Sequence, residues 1–163
     1  NQVYFQYQVG QKKVDAIEVI CTQINPSIKI IKHGEYKDQA LSGYVFLCVD
    51  SIELRHTIAT SNINNKAIKA MFDTRMRLED AQSYGADWNN AIQKKTFISS
   101  MEFTDEEAKD ATPVSACGTA LSVAPTVVST AAFTVANFIN LIRKSKCDSM
   151  IFVNAFSFIT TKF

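Results

Sequence analysis

Between residues 9 and 24 the apolar side chains fall at Val14, Ile17, Ile20, Cys21 and Ile24, the spacing of one helical face. Asn25-Pro26 closes that helix, because the residue before a proline is pushed out of the helical region. Residues 28–32 alternate and predict a strand. Residues 44–49 form a short apolar run between Gly43 and Asp50, as in a strand buried on both faces. A helix is predicted over residues 51–64, ended by the polar cluster at 62–66. A second apolar run at residues 67–72 predicts another strand. Strands and helices in that order, joined by short connections, imply an α/β fold with a largely parallel sheet.

Farther along, residues 76–88 fit an antiparallel hairpin with Gly85 near its turn, and residues 90–100 a helix. The acidic, polar stretch at 104–113 reads as a loop. Residues 111–142 carry no charged side chain, which raises a membrane-spanning reading. Thr126, Ser129, Thr130, Thr134, Asn137 and Asn140 interrupt the apolar residues, and Pro125 sits where the first turn of a helix accepts it. A loop followed by a helix at 125–144, packed on the sheet, is the better account, and no membrane is expected. Alternating aromatic and β-branched residues at 149–161 predict a final strand.

The 163 residues suffice for one domain with a sizeable core. With 47% hydrophobic and 20% charged residues and a net charge of +1, nothing suggests a field for nucleic acid. The short basic clusters Lys12-Lys13, Lys94-Lys95 and Arg143-Lys144-Ser145-Lys146 read as solvated edges. None of the four cysteines forms a CxxC pair, so a paired-cysteine zinc site is excluded. Cys21 and Cys48 read as small buried hydrophobes and Cys147 as peripheral; the compartment implied is reducing and cytoplasmic. The chain begins at Asn1 without a start pattern, and an upstream segment completing the sheet is expected.

Three positions could carry chemistry. Asp50 closes the most apolar strand, where ligands of open parallel sheets bind and where a carboxylate could hold Mg²⁺. The same residue, with Glu53 three positions on, also fits a helix N-cap. Lys13, behind Gly10, could reach a phosphate or face solvent. Cys117, between the acidic stretch and the long helix, has the setting of an exposed thiol or of a small buried residue. Arg75 and Arg77 could pair an anion or face solvent, and His33 and His56 read as structural or surface residues.

Gln2, Gly10, Lys13-Val14, Asn25-Pro26, Asp50 and Arg55, in that order and spacing, resemble the second half of the ThiF/MoeB/E1-like adenylating fold. The resemblance covers residues 1–72 best; Asp105-Glu106-Glu107-Ala108 and Ser115-Ala116-Cys117-Gly118 are similar to divergent bacterial and phage members. It implies a Rossmann-like sheet with antiparallel strands toward the C-terminus, and a single partial domain at 1–163, the C-terminal portion of the adenylation fold. The implied activity is ATP-dependent adenylyl transfer. The C-terminal carboxylate of a ubiquitin-like or sulfur-carrier protein attacks the α-phosphate of ATP. By the resemblance, Lys13 contacts the phosphates, Asp50 binds Mg²⁺, Gln2 borders the nucleotide, and Cys117 could capture the acyl group. Asn1 stands where many members have an arginine, and the family's glycine-rich turn is not in the chain. A homo-oligomer, such as a dimer, is the expected assembly. The alternatives are a non-catalytic interaction module of the same fold, or another nucleotide-binding Rossmann-like domain.

Overall fold

The computed structural model describes residues 4–111 and 123–163. The chain divides into two compact units, residues 1–39 and 40–163. The first holds a 3₁₀ turn, Gln6–Gln8, and helix α1, Lys13–Ile24. This helix starts four residues later than its apolar pattern suggests, because Gly10 adopts a φ of 88° that a helix cannot continue. Gln8 is buried; its Nε2 donates to the Ala16 carbonyl at 3.2 Å, and its Oε1 accepts from Phe5 N at 2.9 Å. Asn25-Pro26 ends α1 as expected. Residues 28–32 are not a strand, and Ile28 and Ile31 are exposed. Alternation alone cannot hold a strand whose backbone finds no ladder partner. Lys32 instead reaches back to Asp15 and Glu18 of α1, at 2.8 Å each.

The second unit is built on a five-stranded sheet of order β1-β2-β3-β4-β5. Strand β1 is Gly43–Leu47, followed by helix α2, Ile52–Ser61, and strand β2, Ile68–Met76. Strand β3, Asp80–Asp87, is followed by helices α3, Ala91–Ser99, α4, Asp105–Asp110, and α5, Ala124–Lys144. Strands β4, Met150–Asn154, and β5, Ile159–Lys162, complete it.

The class is α/β, but the sheet is not largely parallel. Only β1 and β2 run parallel, while β2–β3, β3–β4 and β4–β5 are antiparallel. The connections decide this. A parallel neighbour needs a long crossover, which α2 provides between β1 and β2. The tight turn at 77–79, closed by Arg77 N donating to Asp80 O at 2.8 Å, forces the next strand to reverse. The tail does the same: Asn154 Oδ1 accepts from Phe156 N and Ser157 N, and the predicted final strand becomes the hairpin β4–β5. Gly85 lies inside β3, opposite Phe72, rather than near the turn.

Alternation along β2 divides its side chains between two helical layers. Phe72 faces α5 and meets Phe46 and Phe138, with centroids 5.0 and 5.9 Å away. Met71 and Asp73 face the other way, toward α2 and α3. There Trp88 packs edge-on against Phe97, and its Nε1 donates to the Asn62 carbonyl at 2.8 Å.

The expected loop at 104–113 contains α4. Thr104 and Glu107 form a reciprocal capping box, with Glu107 N donating to Thr104 Oγ1 at 3.1 Å and Thr104 N to Glu107 Oε2 at 2.8 Å. Three acidic residues in the first turn add to it.

Helix α5 packs on the sheet through a mixed face, on which Phe138 meets Phe46 and Phe72. Thr126, Thr130, Thr134 and Asn137 are buried, while Val128, Val135, Ile139 and Ile142 are exposed. By length and composition it is a helix that could cross a membrane, with a mean hydropathy of 1.4.

Candidate functional site at the carboxyl end of the parallel pair

Asp50 follows β1 and is exposed. Among the described residues it makes no hydrogen bond or ion pair. It is not the cap of α2. That role belongs to Ser51, whose Oγ accepts from Leu54 N at 3.0 Å. Asp105, at the start of α4, completes the cap from a distant part of the chain. It accepts from Ile52 N at 2.5 Å and from Ser51 Oγ at 2.8 Å, with Glu53 N at 3.4 Å. The Ser51 hydroxyl, ahead of the Ile52 and Glu53 amides, holds the Asp105 carboxyl below its ordinary range. The amides at the start of α2, which would otherwise attract a phosphate, are thus already taken by the protein's own carboxylate.

The residue before Asp50 is fixed from the other side. Arg55 donates from Nε to the Val49 carbonyl at 2.8 Å, and its Nη2 donates to the same oxygen. Its Nη1 donates to Asp73 Oδ1 at 2.5 Å and to the Thr74 carbonyl at 2.7 Å. Asp73 is fully buried, and its second oxygen accepts from Arg75 Nε at 2.7 Å. Arg75 in turn donates to the Ser100 carbonyl at 2.5 Å and to Ser100 Oγ at 2.8 Å, and lies 4.3 Å above the Tyr84 ring. Burial raises the Tyr84 pKa, against the opposing pull of Arg75. The arrangement is a buried Arg–Asp–Arg triad whose polar atoms are satisfied.

The structure therefore gathers Asp50 and Arg55 at one corner and adds Asp73, Arg75 and Asp105. Arg75 pairs an anion, the internal carboxylate of Asp73, and Arg77 is exposed in the turn. The pattern held a signal for the triad. An acidic residue directly follows Ala70-Met71-Phe72, and an arginine two positions on shares its face. Asp105 had no such signal, because its partners are more than fifty residues away. Lys13, the first residue of α1, is exposed and belongs to the first unit, whereas Asp50 belongs to the second. Gln2, Asn1 and Cys117 lie outside the described residues.

The cysteines correct the sequence reading. Cys48 is exposed rather than buried in β1, since that strand ends at Leu47. Desolvation of its sulfur still raises its pKa, with Arg55 opposing and Asp73 adding to the shift. Cys147 is half-buried, not peripheral; burial, then Asp87 and Asp148, push its thiol up to about 11. Cys21 is half-buried as well. His33 is exposed, and His56 lines an open cavity of about 400 Å³ with Glu53, Glu102 and Glu107.

No group of three or more His, Cys, Asp or Glu side chains that could hold a metal occurs among the described residues. Asp50 is then a single hard oxygen donor. This suits Mg²⁺ bound through one carboxylate with phosphates supplying the remaining oxygens, and does not suit a cation caged by protein alone. The chain matches no protein-family model and no curated protein.

Proposed function

We propose that the chain is part of an ATP-dependent adenylyltransferase of the ThiF/MoeB/E1 type, acting on the C-terminal carboxylate of a ubiquitin-like or sulfur-carrier protein. The observation that carries this reading is Asp50: an exposed carboxylate without a partner among the described residues, at the carboxyl end of the parallel pair, between two residues that are both pinned. Ligands of open α/β sheets bind at such strand ends. In this reading β1–α2–β2 belongs to a Rossmann-like unit in a cytoplasmic protein.

Asp50 is the residue to hold Mg²⁺. Bound Mg²⁺-ATP would supply the electrophilic phosphorus and neutralise charge there. The protein's own part is positioning: the bonds to Val49 and Ser51 set where the Asp50 carboxylate leaves the backbone. Cys117 is the thiol to accept the acyl group.

ATP–pyrophosphate exchange, driven by a small protein ending in glycine, tests the reading. Asp50→Asn is expected to lower exchange by about 100-fold or more, as loss of a transition-state charge partner does. Exchange unchanged in Asp50→Asn, or no Mg²⁺-dependent ATP binding by the chain, would overturn it.

A second reading, an interaction module that pairs with another copy of itself, is favoured by α5. Val128, Val135, Ile139 and Ile142 form an exposed stripe at helical spacing, and the sequence from 111 to 142 has no charge to repel a second copy. Val135→Glu would then convert a dimer to a monomer in light scattering. A wild-type chain that is monomeric at high concentration removes this reading.

A further inference from the structure

Among the described residues Asp50 has no partner of its own, yet both of its neighbours are held by side chains, Val49 by Arg55 and Ser51 by the distant Asp105. This pattern is a support built around an unpaired carboxylate. We infer that Asp73 is a positioning residue for Asp50, acting through Arg55 and the Val49 carbonyl, with Asp105 as the matching support on the α2 side. The inference deepens the proposed function and rests on it for its ligand; the support itself is a matter of geometry.

The chain of contacts is continuous. Asp73 Oδ1 accepts from Arg55 Nη1 at 2.5 Å, and Arg55 Nε donates to Val49 O at 2.8 Å. That oxygen belongs to the peptide joining Val49 to Asp50, so its orientation sets the plane from which the Asp50 side chain departs. Arg55 cannot swing away, because Thr74 O holds the same nitrogen and the guanidinium is a rigid fork. Nor can Asp73, whose other oxygen is held by Arg75. On the far side, Asp105 holds Ser51 and Ile52. Partners that orient a ligating group in this way commonly change metal affinity by about 10–100-fold when removed.

The test uses the 163-residue chain with two variants. Asp73→Asn removes the charge shared by the arginines. Arg55→Lys keeps the cation opposite Asp73 but cannot bond Val49 and Asp73 together. Backbone order at Asp50 is read by ¹⁵N relaxation, and Mn²⁺ with ATP serves as the metal probe through paramagnetic broadening of the Asp50 amide. In the wild type the Asp50 amide should have an order parameter of about 0.85, falling below about 0.6 in either variant, while β3 and α5 stay unchanged. Mn²⁺ affinity should weaken by about tenfold. Unchanged order at Asp50 in a folded variant would overturn the inference. If Asp73→Asn does not fold, Arg55→Lys decides alone. Wild-type chain that shows no Mn²⁺ broadening at Asp50 would count against the proposed function, and the order parameters would still decide the support.

Discussion

Two buried polar regions lie on opposite faces of the same sheet and are made of different groups. At the carboxyl end of β2, one carboxylate is shared by two guanidiniums, Asp73 with Arg55 and Arg75. Beneath α5 the groups are neutral. Ser83 and Thr134 share a 2.6 Å hydrogen bond, and Asn137 donates to Asp148 O at 2.8 Å and accepts from Asp148 N at 2.9 Å. Neutral groups of this kind are satisfied locally and fix how α5 sits over β3. Ions cost more to bury, and their directional forks reach beyond the sheet, to Val49 and to Ser100. The charged corner therefore acts on a turn, and the neutral face acts on packing.

Removing the centre of each region should separate them. Asp73→Ala leaves two half-buried guanidiniums without their shared carboxylate, and a loss of about 3 kcal/mol is expected in urea unfolding. A loss below about 1 kcal/mol would mean that water replaces the carboxylate and that the corner is no stronger than the neutral face.

Gly85→Ala probes the other face. A Cβ at Gly85 would lie 2.8 Å from Asn137 Nδ2 and 2.9 Å from Cys147 Sγ. Overpacking of this kind is expected to cost about 1–3 kcal/mol, with Asp50 order unaffected. A change at Asp50 would show that the two regions are coupled through the sheet.

The thiol at this face sharpens the contrast. Cys147 is held near 11 instead of the usual 9.0. At pH 8 its thiolate fraction should be about 100-fold below that of an unperturbed thiol. Iodoacetamide should therefore label Cys147 far more slowly than free cysteine, and labelling at the free rate would show that the α5 face opens.

The smallest effect expected is on the α2 cap. Asp105 has its pKa lowered in the fold from 3.8. Its support is present above the unfolded value and fades as pH falls through the lower folded value. Acid titration of Asp105→Asn against wild type should show the two stability curves converging below about pH 4. Curves that stay parallel there would remove the ionised cap.

Much of the second unit was legible along the chain. The apolar run at 44–49, the helix after it and the run at 67–72 correspond to β1, α2 and β2, and Asn90 caps α3 by accepting from Ile92 N and Gln93 N. Asp50 was legible as a strand-end carboxylate, but its choice between cap and ligand was not. Ser51 and Asp105 settle the cap, and only folding brings Asp105 to it.

The sequence by itself determined the segments whose signals are local: the stop of α1 at Asn25-Pro26 and the apolar runs of β1 and β2; the Thr104–Glu107 box of α4 is equally local, although its acidic stretch reads as a loop. Periodicity and capping act within a few residues, so a single stretch of chain is enough to specify them. Tertiary structure alone decided the polarity of the sheet, the failure of residues 28–32 to form a strand, and the partners of Asp73. It also decided which face of α5 meets the sheet. Thr130 and Thr134 return their hydroxyls to carbonyls one turn back, at 2.7 and 2.8 Å, and so reach the interior with their polarity met. A hydrophobic pattern scores those threonines as outward-facing, because it cannot register a hydrogen bond that exists only after the helix has formed.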